Sequence, residues 1–467
     1  SRREYWGPVR QMACPARDGM RFLTRQAGQE IGAFHAVASA CHESSGAGSL
    51  GVDGWSCMSA SEVMTETVYR TEPRVQDGDY RPAVILQVLP ELDAGGVERG
   101  TVDIARAIVD GGGKALVASQ GGRLERELAR FGAKHINLPL KSKNILVMRR
   151  NIDALVKMIR EEGVDIIHAR SRAPAWSAYF AARKAGIPFV TTFHGTYSGY
   201  TNPFKRRYNA IMTMGDQVIA ISKHIANHIN KYYKVDPDRL NIVPRGTNVD
   251  LFNPENVSQE RLIALSTQWR LNGEEYVIMM PGRITRWKGH SFLIRALPAV
   301  LEELGHRKVR CLIVGSDQGR TAYREEILQL TRKLGVEDVV HIVDHCADMP
   351  AAYMLADVVA CPSVEPEAFG RIPSEAQAMG RPVVSTAHGG AMETVLPGET
   401  GWLVSPNEVD QLSRALIQVL SLTPEKRAIL ASKGRNHVIA EYSLEQMAER
   451  TLRVYAKALK RVTRNAV

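Results

Sequence analysis

From residue 83 onward, short apolar runs alternate with helical stretches, and the whole alternation passes twice along the chain. Strand-like runs fall at 83–89, 114–119, 165–170, 188–193, 217–222 and 240–244, with helical stretches near 96–110, 148–162, 174–186 and 223–233. A second series starts at 276–281 and continues at 309–315, 339–343, 358–361, 382–386 and 402–405. Its helices lie near 289–304, 322–334, 371–379, 408–421 and 444–460. Strand–helix–strand repetition implies a parallel sheet with helices on both faces. The expected fold is therefore α/β, two doubly wound Rossmann-like domains facing across a cleft. We place them at 81–255 and 256–445, joined by the unpatterned stretch 250–272. A helix over 446–467 follows, for which packing back on the first domain is an option. In such sheets ligands bind beyond the carboxyl ends of the strands, so the chemistry is sought there.

Residues 1–63 lack this rhythm, begin with Ser, and cluster Gly and Ser at 44–51. Residues 1–80 read as a disordered leader, or Met64 is the true start; the second reading is preferred. No apolar run approaches the roughly 20 residues needed to span a bilayer, and the first 30 residues show no secretory pattern. The expected location is cytoplasmic or peripheral at the inner face of a membrane. Cysteines at 14, 41, 57, 311, 346 and 361 form no C-x-x-C pair. Those at 311, 346 and 361 sit in strand-like contexts and read as buried free thiols. The net charge of +10 is uneven: residues 81–249 hold 26 Lys and Arg against 14 Asp and Glu, and 250–467 balance. The basic half is expected to meet something anionic.

Two segments after strands carry candidate chemistry. In Pro281–Gly289, Arg283 and Lys288 stand at a strand-to-helix turn, where two cations and a helix start can neutralise a diphosphate. An ordinary basic turn is the plainer alternative. In Glu365–Ala376, Glu367 and Glu375 flank Ala368, Phe369 and Gly370, whose amides can face a ligand while the carboxylates take sugar hydroxyls. Solvated acids at a helix start are the plainer alternative there. His388-Gly389-Gly390-Ala391-Met392-Glu393 again places glycine amides after a strand.

Together these motifs resemble the donor site of glycosyltransferase family 4 (group 1), a GT-B family. In the first half, Gly95-Gly96-Val97-Glu98 resembles the family's glycine-rich loop, and Thr192-Phe193-His194-Gly195 its histidine loop. The segments 218–222 and 243–250 also fit, and the likeness covers about residues 83–460. It implies a retaining, metal-independent transfer of a hexosyl unit from a UDP- or GDP-linked sugar, with no cofactor. Arg283 and Lys288 would hold the diphosphate and Glu375 the ribose. Glu367 with the amides of 368–370 would bind the transferred sugar. Gly96 would approach the phosphate or the acceptor, and His194 the sugar. Glu393, with Gly389 and Gly390, would lie near the diphosphate or fix the glycine loop.

The triplets Asp77-Gly78-Asp79 and Asp236-Pro237-Asp238 read as loop acids, not metal ligands. His224 and His228 lie four apart on one helix with no completing acid and read as surface residues. No G-x-G-x-x-G follows the first strand, which argues against hydride transfer. A phosphorylase, a sugar-nucleotide epimerase or a non-catalytic glycan-binding relative remain alternatives. Clusters at Lys141 and Lys143, Arg149 and Arg150, and Lys205 to Arg207 suggest contact with an anionic membrane. The expected acceptor is then a lipid-linked saccharide of a bacterial envelope, as in lipopolysaccharide synthesis; a solvated basic face is the plainer account. No nucleic acid is expected as a partner.

Overall fold

The computed structural model describes residues 81–465 apart from 94, 198–201, 306–308 and 320, with side chains described to Lys460. The leader, Cys14, Cys41, Cys57 and the triplet at 77–79 lie outside these residues.

The first sheet contains β1 (Val84–Val88), β2 (Lys114–Ser119), β3 (Lys134–Asn137), β4 (Ile166–Ala169), β5 (Phe189–Phe193), β6 (Gln217–Ala220) and β7 (Leu240–Ile242). Their order is β3-β2-β1-β4-β5-β6-β7, and every recorded pairing is parallel. The second sheet contains β8 (Tyr276–Pro281), β9 (Val309–Val314), β10 (Val340–Val343), β11 (Val358–Cys361), β12 (Val383–Thr386) and β13 (Gly401–Val404), ordered β10-β9-β8-β11-β12-β13. Central strands are buried on both faces, as all five residues of β1 are. That is why they read as unbroken apolar runs.

The helices of the first half are α1 (Gly96–Asp110), α2 (Glu125–Arg130), α3 (Ile145–Glu162), α4 (Arg172–Ala185), α5 (Pro203–Ala210) and α6 (Lys223–Tyr233). Those that follow are α7 (Gln259–Gln268), α8 (His290–Leu304), α9 (Thr321–Lys333), α10 (Met349–Leu355), α11 (Arg371–Ala378), α12 (Ala391–Thr394), α13 (Val409–Leu420), α14 (Pro424–Tyr442) and α15 (Leu444–Asn465). No described helix is long and apolar enough to cross a membrane.

The structure adds elements that the pattern did not announce. The stretch 250–272, expected as the interdomain link, contains α7, started by the Ser258 side chain accepting from Arg261 N. Helix α14 buries only Leu430, Gly434, Val438 and Tyr442, one residue per turn, which is too narrow a stripe to stand out. Helix α15 lies on the first sheet: Met447, Val454, Tyr455 and Ala458 share a core with β1, β2 and α1, and Tyr455 OH is 2.8 Å from His168 Nδ1. Two further expectations need correction. His228 is buried rather than on the surface, because it lies on the inner side of α6 between Ile225 and Ile229. Cys346 is only half-buried and follows β10, whereas Cys311 and Cys361 are buried strand thiols.

Both sheets reverse their strand order at one point, between β1 and β4 and between β8 and β11. The loops leaving those four strands therefore diverge and leave a crevice. They carry Gly95-Gly96, Arg170, the 282–289 turn and the 362–370 loop.

Candidate active site

On the second domain, the turn after β8 is fastened to the loop after β11. Val364 N donates to Trp287 O at 2.8 Å. Gly289 has φ 82°, and a Cβ there would meet Pro362 O at 1.9 Å, so only glycine lets the two loops touch. This brings Lys288 onto Glu367, with Nζ donating to Oε1 at 2.8 Å. Ser363 Oγ donates to the same oxygen at 2.5 Å. Lys288 is buried, with its ammonium 4.6 Å from the Trp287 ring. Among the described residues nothing donates to Glu367 Oε2, which leaves that oxygen for a ligand hydroxyl. Arg283, from the same turn, is exposed and has no described partner. The expected diphosphate cation and sugar carboxylate are thus neighbours in one ion pair, with a second cation exposed on the same turn.

The loop 367–370 rests on the glycines of the next strand's turn. Gly390 N donates to Glu367 O at 2.8 Å, and a Cβ on Gly390 would lie 2.2 Å from Phe369 O. Phe369 is buried and meets Tyr442 edge to face at 5.5 Å between centroids. Its ring therefore supports the loop from below, while no described group accepts from the amides of Ala368, Phe369 or Gly370. Gly370, at φ 97°, opens α11. One turn in, Glu375 accepts from Tyr353 OH at 3.0 Å and from Arg371 Nη2 at 2.9 Å. A carboxylate offers about four lone-pair sites, so two remain for a diol.

Glu393 stands elsewhere than the glycine loop alone would suggest. Its oxygens accept from Lys223 N at 2.8 Å and His224 N at 2.9 Å, so it caps α6 of the first domain from across the crevice. Ser222 Oγ donates to Ala368 O at 2.6 Å, and Thr247 Oγ1 to Ser374 Oγ at 2.9 Å. The 367–370 loop and the glycine turn are therefore both tied to the opposite domain.

On the first domain, His194 follows β5 and faces Arg245, which follows β7. Arg245 Nη2 lies 2.9 Å from His194 Nδ1, and Nη1 donates to Gly96 O. Burial first, then Arg245, Arg170 and His168, hold the His194 imidazole well below its ordinary range, so it is neutral. Burial, with Arg371 and Arg170 nearby, lowers the Arg245 guanidinium to about 9, leaving it a cation at neutral pH. Neither Arg170 nor Arg245 stands out by spacing. The one signal is an Arg placed just past an apolar strand, at 170 after 166–169 and at 245 after 240–242.

Among the described residues no three His, Cys, Asp or Glu side chains converge as metal ligands. Asp236 accepts from Asp238 N and starts a short turn. The basic clusters lie where α3 and α5 begin, on the crevice side. Lys143, Arg149, Arg150, Lys205 and Arg207 are exposed, while Lys141 pairs with Glu91 at 2.7 Å. Among them stand Ile145, Leu146 and Phe204, exposed at 79%, 68% and 84%. Trp176 and Ser177 of α4 hold the two starts together, stacking on Tyr208 and bonding to Met148 O.

Known families and structures agree with this architecture. Residues 94–251 match the model for Glycosyltransferase Family 4, and residues 264–437 that for Glycosyl transferases group 1. The D-inositol 3-phosphate glycosyltransferase of Corynebacterium diphtheriae is 32% identical over 314 residues, 63% of this chain and 71% of that protein. Its counterpart from Xylanimonas cellulosilytica is 30% identical, over 65% of this chain and 74% of that protein. A glycosyltransferase crystal structure from Rickettsia africae superposes with a TM-score of 0.75 at 36% identity, covering 82% of this chain and all of that one. Anabaena HepE in complex with UDP and glucose shares the fold, with a TM-score of 0.66 at 24% identity over 79% of this chain and 97% of its own. With both domains matched in order and the crevice between them formed by the matched segments, the chain belongs to the group 1 glycosyltransferases of the GT-B fold, enzymes that transfer a sugar from a nucleotide-sugar donor.

Proposed function

We propose that this glycosyltransferase moves a hexosyl unit, with retention of anomeric configuration and without a metal, from a UDP- or GDP-linked donor to a lipid-linked saccharide. The observation that carries the donor half is the Lys288–Glu367 pair at the strand-order reversal of the second sheet, with Arg283 exposed on the same turn and Glu375 one helix turn beyond. As the anomeric carbon–oxygen bond breaks, charge grows on the diphosphate. Arg283, from the exposed turn, and the buried Lys288 would take that charge. The acceptor oxygen bonds to the anomeric carbon on the face the diphosphate leaves, and its proton passes to a departing phosphate oxygen. No carboxylate nucleophile is then needed, and Glu367, already bonded to Lys288 and Ser363, is given none of that role. Its open oxygen takes a sugar hydroxyl, and Glu375 takes the ribose. HepE, which holds UDP and glucose, makes UDP-glucose the first donor to try.

The acceptor half rests on the crevice-side face of the first domain. Exposed Ile145, Leu146 and Phe204 among exposed cations, most of them with no partner among the described residues, suit an anionic lipid surface, where each basic residue contributes about 1 kcal/mol. Envelope glycan synthesis is the setting this favours. A second reading, a small phosphorylated acceptor free in solution, is favoured by the names of the inositol 3-phosphate relatives. The test is sugar transfer from UDP-glucose and GDP-mannose to lipid extract and, separately, to inositol phosphates, with EDTA present throughout. Transfer to lipid supports the proposal, and transfer confined to the phosphorylated polyol replaces its acceptor half. Complete loss in EDTA, restored by manganese, removes metal independence.

A further inference from the structure

We propose that the first domain carries an anion-binding socket of its own, built from Arg170, Arg245 and His194, which receives one oxygen of a phosphoryl group. Arg170 is 5% exposed and its Nε has no partner among the described residues. Its Nη1 bonds only to the neutral Gln87 amide, at 2.7 Å. Arg245 bonds to Gly96 O and His194. No described carboxylate forms a salt bridge with either: Asp103, which acts on both, is held by Arg99 at 3.0 Å, and Glu98, which acts more strongly than Asp103 on Arg245, is not bonded to it. Buried cations without a counter-charge are costly, and an anionic ligand removes the cost.

The backbone is cut to fit these two guanidinium groups. Gly96 and Gly100 sit four apart on one face of α1. A Cβ on Gly96 would lie 2.5 Å from Arg245 Nη1, and one on Gly100 would lie 3.3 Å from Arg170 Nη2. Both arginines thus lie against the first turns of a 15-residue helix, whose amino end itself favours an anion. His194 supplies the directed donor. A guanidinium can only donate, so His194 Nδ1 must accept from Arg245, and in a neutral ring the proton is on Nε2. That Nε2 is buried and unpartnered. His194, Arg170, Arg245 and Gly100 line one cavity of about 20 Å³, room for a single water-sized atom. One phosphoryl oxygen fills it while the rest of the group stays in the crevice. The source is either the donor's diphosphate or a phosphorylated acceptor.

The inference uses the proposed donor crevice only for the direction the socket faces, and its test needs no turnover, so either can fail alone. Imidazole ¹H–¹⁵N spectra of the full chain, with the His194 signal assigned by its loss in His194→Asn, should show the neutral Nε2–H form. That proton should move downfield when inorganic phosphate or UDP is added. Phosphate is then titrated in an Arg283→Ala background, which removes the exposed donor-side cation. Arg245→Gln and Arg170→Gln should weaken phosphate binding at least tenfold. Gly96→Ala keeps both arginines but crowds Arg245 aside, and should weaken it in the same direction should either arginine variant fold poorly. UDP affinity falling in the same variants makes the donor the source, and UDP affinity unchanged while phosphate affinity falls makes it a phosphorylated acceptor. A proton on Nδ1 in the neutral ring, an Nε2–H signal that neither anion moves, or less than a twofold change for both anions across the variants would overturn the socket.

Discussion

Replacing Lys288 by Met separates what this residue does for the fold from what it does for the reaction. At 2.8 Å the Lys288–Glu367 pair is worth about 6 kcal/mol of attraction at an effective dielectric of 20, most of it cancelled by desolvating two ions. The side chains are only 10% and 17% exposed, so the loss of one partner strands the other. Lys288→Met leaves Glu367 with Ser363 alone, at a cost of about 3 kcal/mol, the lower end for a broken buried pair. In Lys288→Met/Glu367→Gln no charge is left buried, and stability should return to within about 1 kcal/mol of wild type. Activity should not return: both variants should remain down by about 10² to 10³ in kcat/KM, the usual loss when one charge-stabilising donor is removed. Denaturant unfolding of the full chain and donor turnover are measured on the same preparations. A double variant that regains turnover would mean that Lys288 serves only to satisfy Glu367. Unchanged stability in the single variant would mean that the pair is not held in the unliganded protein.

Other consequences concern pH and the membrane. His290, fully buried at the start of α8, is lowered to about 4 by burial, against a smaller opposing pull of the Thr285 backbone on the protonated ring and with Lys288 acting in the same direction as burial. The unfolded chain takes up this proton below about pH 6.5 while the folded chain does not, so its contribution is complete above 6.5 and lost as pH falls towards 4. The loss is about 3 kcal/mol; His290→Leu should flatten that limb of the stability curve, and an unchanged limb refutes the assignment. Phe204→Ser with Lys205→Gln and Arg207→Gln should reduce sedimentation with anionic vesicles at least tenfold at low salt and leave neutral vesicles unaffected. Binding indifferent to lipid charge or to salt argues for an acceptor in solution.

What was legible in the chain follows from burial. Strands covered on both faces, such as Val84–Val88 and Val358–Cys361, read as apolar runs and their order announced the doubly wound sheets. Strand β3, Lys134–Asn137, lies at a sheet edge with no buried residue, so it carries no such signal. The second domain's candidate residues were legible because Arg283, Lys288, Glu367 and Glu375 are close in sequence to the strand ends that position them. Arg170 and Arg245 were not, since 75 positions of chain and two intervening strands separate them, and only their long side chains bring them to one cavity. Glu393 could be placed near a glycine turn from sequence, but not at the amino end of a helix 170 residues away.

The central claim is that the crevice of the second domain holds a nucleotide-diphospho-sugar for transfer. The most direct measurement is calorimetric titration of UDP and of GDP into wild type and Arg283→Ala, followed on the same samples by nucleotide release from the matching sugar donor with and without acceptor extract. The account predicts that one nucleotide binds wild type and binds at least tenfold more weakly to Arg283→Ala, and that its release rises with acceptor and is accompanied by a glycosylated product of unchanged anomeric configuration. Equal affinity in the two proteins would contradict the donor site. Donor consumed only with free phosphate, or converted to its epimer without acceptor, would contradict the transfer.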